Sequence, residues 1–191
     1  MNSCSIGITK PSFFRVIRSF GNILVNDFFN INLTISFWIF CEPGIWKDNC
    51  IKLLSKNGYI PVTVDRHYRE GLVSFGPNYK LHLPQEVDRL DEIIKRYNIT
   101  SCIHFAGSTS VPESVENPSL YYKNNFIVTL SLLDKLIECG VKTFVYSSSA
   151  ATYGDPGLNK CKETDVPKPI SAYGGSKLMM EMLCKDYMTA Y

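Results

Sequence analysis

The sequence predicts a doubly wound α/β domain, in which a parallel sheet is covered by helices on both faces. Three observations support this fold class: short apolar runs alternate with longer amphipathic segments, two of those segments end at a glycine, and polar residues follow the apolar runs. Such an alternation is typical of βαβ crossovers, which connect parallel strands. We expect residues 34–191 to form this domain and residues 1–33 to form an N-terminal extension of unknown structure.

The first half of the domain contains two predicted strands and two predicted helices. Residues 34–40, "TISFWIF", are β-branched and aromatic, which predicts a buried strand. Residues 46–58 carry apolar residues at helical spacing and end at Gly58, which is typical of a helix. Residues 60–65, "IPVTVD", form the second strand, and residues 86–98 form an amphipathic helix with one apolar stripe.

The second half repeats the alternation. Residues 101–107, "SCIHFAG", predict a third strand, and residues 119–140 predict a long helix with a serine cap and a glycine stop. Residues 142–149, "KTFVYSSS", predict a fourth strand that ends in three serines. A final helix is predicted over residues 171–191.

Composition excludes several classes of function. The chain has 191 residues and a formal net charge of +2, which gives no electrostatic bias toward nucleic acid or acidic membranes. Its apolar stretches are too short and too interrupted to span a bilayer, so we expect no membrane partner. The seven cysteines lack metal-binding spacing, so we expect no metal, free thiols and a reducing, cytoplasmic location.

Polar residues at strand ends predict a ligand site, because ligands of open α/β sheets lie beyond the carboxyl ends of the strands. Asp65 ends the second strand, residues 106–109 follow the third, and residues 147–149 end the fourth. A carboxylate at position 65 is suited to the ribose hydroxyls of an adenosine, or else it is a solvated turn residue. Arg66 beside it leaves the choice between NAD and NADP open.

The loop before the first helix is a poor phosphate cradle. A dinucleotide-binding turn needs glycines so that backbone amides approach the pyrophosphate at a helix N-terminus. The segment at that position, "CEPGIWKDN" (41–49), has only Gly44. Glu42 adds negative charge, and Lys47 adds a side chain where close helix packing is usual.

Tyr173 and Lys177 form a candidate acid/base pair in "SAYGGSK". Residues four apart on a helix lie on one face, and a nearby ammonium favours a tyrosine phenolate over the phenol. Gly174 and Gly175 each cost about 1 kcal/mol of helix propensity, which is tolerable if a cofactor packs close to the backbone. A hydroxyl from the end of the preceding strand is able to hydrogen-bond the substrate oxygen that the tyrosine deprotonates.

Three longer segments carry a family resemblance: "IHFAGSTSVPESVENPSLYYKNN", "GVKTFVYSSSAATYGDP" and "SAYGGSKLMMEMLCKDY". They resemble the extended short-chain dehydrogenase/reductase superfamily, its NAD-dependent epimerase/dehydratase family and, within that, the UDP-glucose 4-epimerases. The resemblance is close over residues 101–190 and weaker back to Gly44. It implies an NAD-binding Rossmann-like fold, truncated before the last strands and the substrate domain.

The resemblance implies interconversion of UDP-glucose and UDP-galactose through a 4-keto intermediate on bound NAD, in galactose metabolism, and it allows a homodimer. The catalytic residues it implies are Tyr173 as the base, Ser149 as a hydrogen-bond partner of the sugar oxygen, and Lys177 on the nicotinamide ribose. All three also belong to the implied cofactor site. The other cofactor-binding residues it implies are Gly44, Ile45, Trp46, Asp65, Phe105, Ala106, Gly107 and Asn125.

The sequence departs from the family pattern at two of the three turn glycines, where Cys41 and Lys47 stand. The nucleotide-sugar domain would follow Tyr191, so we expect negligible epimerase activity from the chain alone, and an open strand edge that promotes association. Two alternatives remain: another nucleotide-sugar epimerase or dehydratase, and a non-catalytic, degenerate Rossmann remnant.

Overall fold

The computed structural model describes residues 14–17, 36–40, 45–67, 71, 74–157 and 161–191, and gives only the backbone elements for residues 14–17, 36–40 and 45–47. Six strands are described: β1 (Phe14–Ile17), β2 (Ser36–Phe40), β3 (Ile60–Asp65), β4 (Asn78–Lys80), β5 (Ser101–His104) and β6 (Thr143–Ser147). The α-helices are α1 (Ile45–Lys56), α2 (Arg89–Tyr97), α3 (Val111–Glu116), α4 (Pro118–Tyr121), α5 (Val128–Glu138) and α6 (Ala172–Ala190).

All six strands belong to one parallel sheet with the order β1-β6-β5-β2-β3-β4. From β2 the chain first builds outward through β3 and β4, and then returns to add β5 and β6 on the other side of β2. Right-handed crossovers in opposite directions put helices on opposite faces, as in a doubly wound fold. The predicted fold class is therefore confirmed, and the switch in direction lies between β2 and β5.

The core lies mainly between the sheet and three helices, α2, α5 and α6. Alternate residues of β5 and β6 point toward these helices, as expected for strands covered on both faces. The core residues include Leu90 and Ile94 of α2, Leu132, Leu133 and Leu136 of α5, Met180 and Cys184 of α6, and Cys102, Phe144 and Tyr146 of the sheet. Because α6 belongs to this core, its catalytic candidates rest on a rigid base.

Two strands were not predicted. β4 pairs with the end of β3, and β1, from the N-terminal extension, pairs in parallel with β6 from Phe14↔Phe144 to Ile17↔Ser147. β1 satisfies the backbone groups of β6 on that side, so the edge of the described sheet lies at β1 and not at β6.

The long helix predicted over residues 119–140 is not uniformly α-helical. A π-helical segment, Tyr122–Ile127, separates α4 from α5 without a break in the chain's helical conformation. A π-turn inserts one residue into the helical repeat and changes which side chains point inward, and such turns are frequent at functional sites.

Candidate functional site

Lys177 is held at the carboxyl end of β6. Its ammonium donates a hydrogen bond of 2.9 Å to the backbone carbonyl of Ser147 and lies 5.0 Å from the ring centre of Tyr146. The ring centre of Tyr173 is 5.9 Å from the same nitrogen. Lys177 is 3% exposed, so the ammonium is near the Tyr173 ring in a largely dehydrated setting that strengthens electrostatic interactions.

Helix α6 begins at Ala172, so that both Tyr173 and Lys177 lie within the helix. Ser171 is its N-cap, and the Ser171 hydroxyl oxygen accepts a hydrogen bond of 3.2 Å from the Gly174 N–H. The predicted helix start is therefore confirmed to within one residue, and Tyr173 lies in the first turn with Lys177 one turn later.

Ser149 leads from β6 into a short 3₁₀ turn, Ala150–Tyr153, which it caps by accepting a hydrogen bond of 3.2 Å from the Ala151 N–H. This cap uses the hydroxyl oxygen as an acceptor, so the hydroxyl hydrogen is still able to bond a substrate oxygen.

Gly174 packs against the same turn. A Cβ on Gly174 would collide with the carbonyl oxygen of Ala151 and lie 3.1 Å from Cβ of Pro169. We expected a cofactor to explain the glycines between Tyr173 and Lys177. For Gly174 that explanation is wrong, because the close neighbour is the protein's own backbone.

The loop after β5 is pinned to the π-helical segment by Asn125, which is 2% exposed. Its Oδ1 accepts a bond of 2.7 Å from the Ser108 N–H, and its Nδ2 donates to the Ser108 carbonyl and to Ser176 Oγ. Ser176 in turn donates to the Tyr173 carbonyl at 2.8 Å. Asn125 therefore connects the predicted cofactor loop to the helix that carries Tyr173.

Gly107 lies at the centre of this loop with φ of +145°, a conformation that favours glycine. A Cβ there would be 2.8 Å from Oδ1 of Asn125 and 3.7 Å from Nζ of Lys177. The structure thus brings Gly107, Asn125 and Lys177 together. Phe105 is buried beside them and Ala106 is half-buried.

Buried hydrogen bonds connect the π-helical segment to β5 through Thr129 and His104. The Thr129 hydroxyl donates to the Asn125 carbonyl at 2.6 Å, and His104 Nε2 lies 2.8 Å from the same hydroxyl oxygen. Because Thr129 has one proton and gives it to Asn125, His104 must donate through Nε2–H. Sequence reasoning missed His104 and Thr129, although a histidine and a threonine in otherwise apolar segments were available signals.

Tyr121 packs against the candidate base. Its ring meets the ring of Tyr173 edge to face, with centroids 6.4 Å apart, and its hydroxyl donates to the Glu113 carboxylate at 2.6 Å. Burial is the main cause that raises the pKa of Tyr121, and the hydrogen bond to Glu113 raises it further. This phenol therefore stays protonated and packs against Tyr173 as a neutral ring.

Tyr146 is a further residue of the site, and Ser148 belongs to the serine run, residues 147–149, that was predicted to lie at the ligand site. Burial raises the pKa of the Tyr146 phenol well above its ordinary value, so its ring faces Lys177 as a neutral aromatic surface. The Ser148 hydroxyl donates to the carboxylate of Glu181, a residue one turn beyond Lys177 on α6.

Asp65 ends β3, is 2% exposed, and accepts a hydrogen bond of 3.0 Å from the His67 N–H through Oδ1. Ile45 and Trp46 begin α1, whose N-terminus follows β2 at the direction switch of the sheet. Gly44 lies outside the described residues, as do positions 41 and 42.

The described part of the chain contains neither a metal-binding cluster nor a membrane-spanning helix. No group of three or more His, Cys, Asp or Glu residues in that part is arranged to hold a metal ion. Within the same residues, no helix combines the length and the apolar character needed to cross a bilayer.

Comparison with known sequences identifies the relatives of this chain. The family model described as GDP-mannose 4,6 dehydratase matches residues 56–191. The UDP-glucose 4-epimerase of Rhizobium meliloti is 37% identical over 145 residues, which is 75% of this chain and 44% of that protein. UDP-glucose 4-epimerase 2 of Arabidopsis thaliana is 35% identical over 155 residues, with the same shares of the two chains. The chain thus spans under half the length of these relatives.

Solved structures agree with the sequence comparison. The crystal structure of UDP-glucose 4-epimerase from Brucella ovis in complex with NAD has a TM-score of 0.77 and 34% identity, and covers 83% of this chain and 49% of that one. The enzyme from Bifidobacterium longum in complex with NAD⁺ and UDP has a TM-score of 0.73 and 28% identity, and covers 81% of this chain and 49% of that one.

Proposed function

This chain belongs to the GDP-mannose 4,6 dehydratase family of sugar-nucleotide epimerases and dehydratases, and on that premise we propose that it is the cofactor-binding part of a UDP-glucose 4-epimerase. The observation that carries the proposal is the position of the Lys177 ammonium, which is bonded to the Ser147 carbonyl and lies 5.9 Å from the Tyr173 ring centre. This arrangement suits a base that removes the proton of a sugar hydroxyl.

The described residues fit NAD in three respects. The loop after β5, in which Gly107 packs against Asn125 beside Lys177, lies next to the direction switch of the sheet, where ligands of open α/β sheets bind. The N-terminus of α1 supplies backbone N–H groups at the same switch, which favours a pyrophosphate. Asp65 offers a buried carboxylate at the end of β3, where it suits ribose hydroxyls. The cofactor would therefore be held by the ends of β2, β3 and β5 and by Lys177.

Each catalytic candidate has a separate task in the proposed reaction. Bound NAD⁺ would supply the redox chemistry at carbon 4 of the sugar. Tyr173 would remove the proton of the 4-hydroxyl and return it, with the ammonium of Lys177 lying beside its ring. Ser149 would donate its hydroxyl hydrogen to the same oxygen, because its cap to Ala151 leaves that hydrogen available.

A dehydratase is the second candidate, because the matching family model describes one. Elimination of water needs an acid that protonates the departing hydroxyl. The 3₁₀ turn after Ser149, Ala150–Tyr153, consists of Ala, Ala, Thr and Tyr and carries no carboxylate. This composition favours the epimerase.

The proposed substrates are UDP-glucose and UDP-galactose, and the proposed setting is galactose metabolism in the cytoplasm. The described cysteines support a reducing compartment, because all five are free thiols. A homodimer is part of the proposal, because exposed apolar side chains lie on the adjacent π-helical segment and α6, namely Tyr122, Ile127, Met179 and Met182. Sedimentation velocity of Met182→Asp tests it, and a dimer that persists unchanged contradicts this surface.

Thermal unfolding with added cofactor tests the proposed function. We expect millimolar NAD⁺ to raise the Tm of the wild type, because a ligand that binds only the folded state stabilises it. NADP⁺ should act more weakly, since Asp65 repels a 2′-phosphate. Asp65→Asn should reduce that discrimination. If neither cofactor raises the Tm, the chain is a non-binding remnant and the proposal fails.

A further inference from the structure

Ser147, which ends β6, and the two serines that follow it contact α6 and its neighbouring turn in three different ways. The Ser147 carbonyl accepts from Lys177, the Ser148 hydroxyl donates to Glu181, and the Ser149 hydroxyl oxygen caps the 3₁₀ turn. The middle contact has no role in the proposed chemistry. It nevertheless lies between Ser147, whose carbonyl binds Lys177, and Ser149, which is proposed to bond the substrate oxygen.

Glu181 is an unusual residue for its environment. It is 8% exposed, and it lies next to Met180, which is fully buried, and one turn before Cys184, which is 1% exposed. A carboxylate in such surroundings is unfavourable unless hydrogen bonds compensate its lost hydration. An apolar residue would fill this position at less cost, so packing alone does not explain the carboxylate.

The spacing along α6 connects Glu181 to the catalytic candidates. Tyr173, Lys177 and Glu181 are four residues apart from one to the next, so they lie along one face of the helix. Ser148 is 6% exposed and bonds Glu181. It therefore ties Glu181 to the segment whose Ser147 carbonyl binds Lys177. The bond therefore fixes where the Ser147 carbonyl stands relative to Lys177.

We propose that Ser148 and Glu181 are a positioning pair: their buried hydrogen bond sets the register between the end of β6 and α6, and so holds the Lys177 ammonium at the cofactor site. This inference rests on the proposed function only where it concerns the cofactor. The position of Lys177 itself is measurable without any ligand.

The test uses the full chain with the double replacement Ser148→Ala/Glu181→Met. Replacing both partners of a buried hydrogen bond by apolar groups is often nearly neutral for stability, so the Tm should stay close to that of the wild type. Lys177 should lose its protection, and its acetylation by acetic anhydride, measured by mass spectrometry relative to exposed Lys123, should rise by about tenfold. The Kd for NAD⁺ should rise by a similar factor.

Two further variants separate positioning from general damage. Glu181→Gln keeps an oxygen that accepts from Ser148, and should retain the Lys177 protection and the NAD⁺ affinity. Asp186→Asn, an exposed acid on the same helix, should change neither. If the double variant does not fold, Ser148→Ala alone is measured in the same way, with the same expected loss of protection.

The inference is overturned if Lys177 of the double variant is acetylated no more than Lys177 of the wild type. The same criterion applies to Ser148→Ala if the double variant does not fold. An increase that Asp186→Asn reproduces also overturns the inference. If the wild type does not bind NAD⁺, the proposed function fails, but the acetylation ratio still decides whether the pair positions Lys177.

Discussion

Gly174 of helix α6 lies directly against the backbone carbonyl of Ala151, closer than any residue with a Cβ would allow. Because Ala151 belongs to the 3₁₀ turn capped by Ser149, this contact sets the separation between that turn and the helix carrying Tyr173 and Lys177. The glycine therefore has a structural cause, and its neighbour Gly175 offers a matched comparison.

Gly174→Ala should destabilise the protein, whereas Gly175→Ala should not. Alanine gains up to about 1 kcal/mol of helix propensity at either position, but at 174 overpacking against Ala151 should outweigh it, for a net loss of about 1 to 2 kcal/mol. At 175 the added Cβ meets only the Tyr122 hydroxyl, at 3.0 Å, which is able to move. Urea unfolding measures both, and equal effects would contradict the packing argument.

Gly107→Ala should cost about 2 to 3 kcal/mol, because it adds backbone strain at φ +145° to a collision with Asn125. Gly140→Ala is the control, since Gly140 has φ +72° and no atom within 4 Å of an added Cβ. It should cost only about 1 kcal/mol of left-handed strain. Equal losses in denaturant unfolding would mean that the contact with Asn125 contributes nothing.

Thr129→Val should lower stability by about 1 to 3 kcal/mol, because it leaves the Asn125 carbonyl and His104 Nε2 without their shared partner. Thr189 makes the same local bond to a carbonyl four residues earlier, but on the surface. Thr189→Val should therefore change the free energy of unfolding by less than about 0.5 kcal/mol. If Thr129→Val and Thr189→Val have the same chemical denaturation curve, the buried hydrogen bonds of Thr129 do not contribute to stability.

The described thiols should differ sharply in reactivity. Burial raises the pKa of Cys184 to about 12 and that of Cys102 well above its ordinary value, whereas Cys161 is exposed. At pH 8 a thiol with a pKa of about 12 is ionised in roughly one molecule in ten thousand. Iodoacetamide at pH 8 should therefore alkylate the exposed Cys161 but leave Cys184 unreacted. Peptide mapping after iodoacetamide measures this, and fast labelling of Cys184 would contradict its burial.

The sequence predicted the elements that have strong local patterns. The apolar runs of β3, β5 and β6 and the stripe of α2 lie within a few residues of their predicted bounds, since burial on a sheet or one helix face imposes a period on the sequence. The family resemblance named Gly107, Asn125 and Lys177 as cofactor-binding residues, and their role in binding a cofactor stays a prediction.

The features that were missed depend on contacts between distant residues. β1 pairs with β6 across more than 100 residues of sequence, and β4 has only three residues, so neither produces a local pattern. The π-helical segment has only six residues and lies between two α-helices, so no local pattern marks it in the sequence. Glu181 looks like a surface residue until the fold buries it against Ser148.

The proposed function requires that this chain binds NAD⁺ through Lys177, the lysine held at the end of β6. Isothermal titration with NAD⁺ tests this on the wild type, on Lys177→Met and on Lys185→Met, a control at an exposed lysine of the same helix. Circular dichroism checks that all three are folded.

We predict that the wild type and Lys185→Met bind NAD⁺ with the same Kd, and that Lys177→Met binds at least about tenfold more weakly, since it loses charge-assisted hydrogen bonds. Equal affinity of Lys177→Met and the wild type, or no heat of binding at millimolar NAD⁺, would contradict the claim.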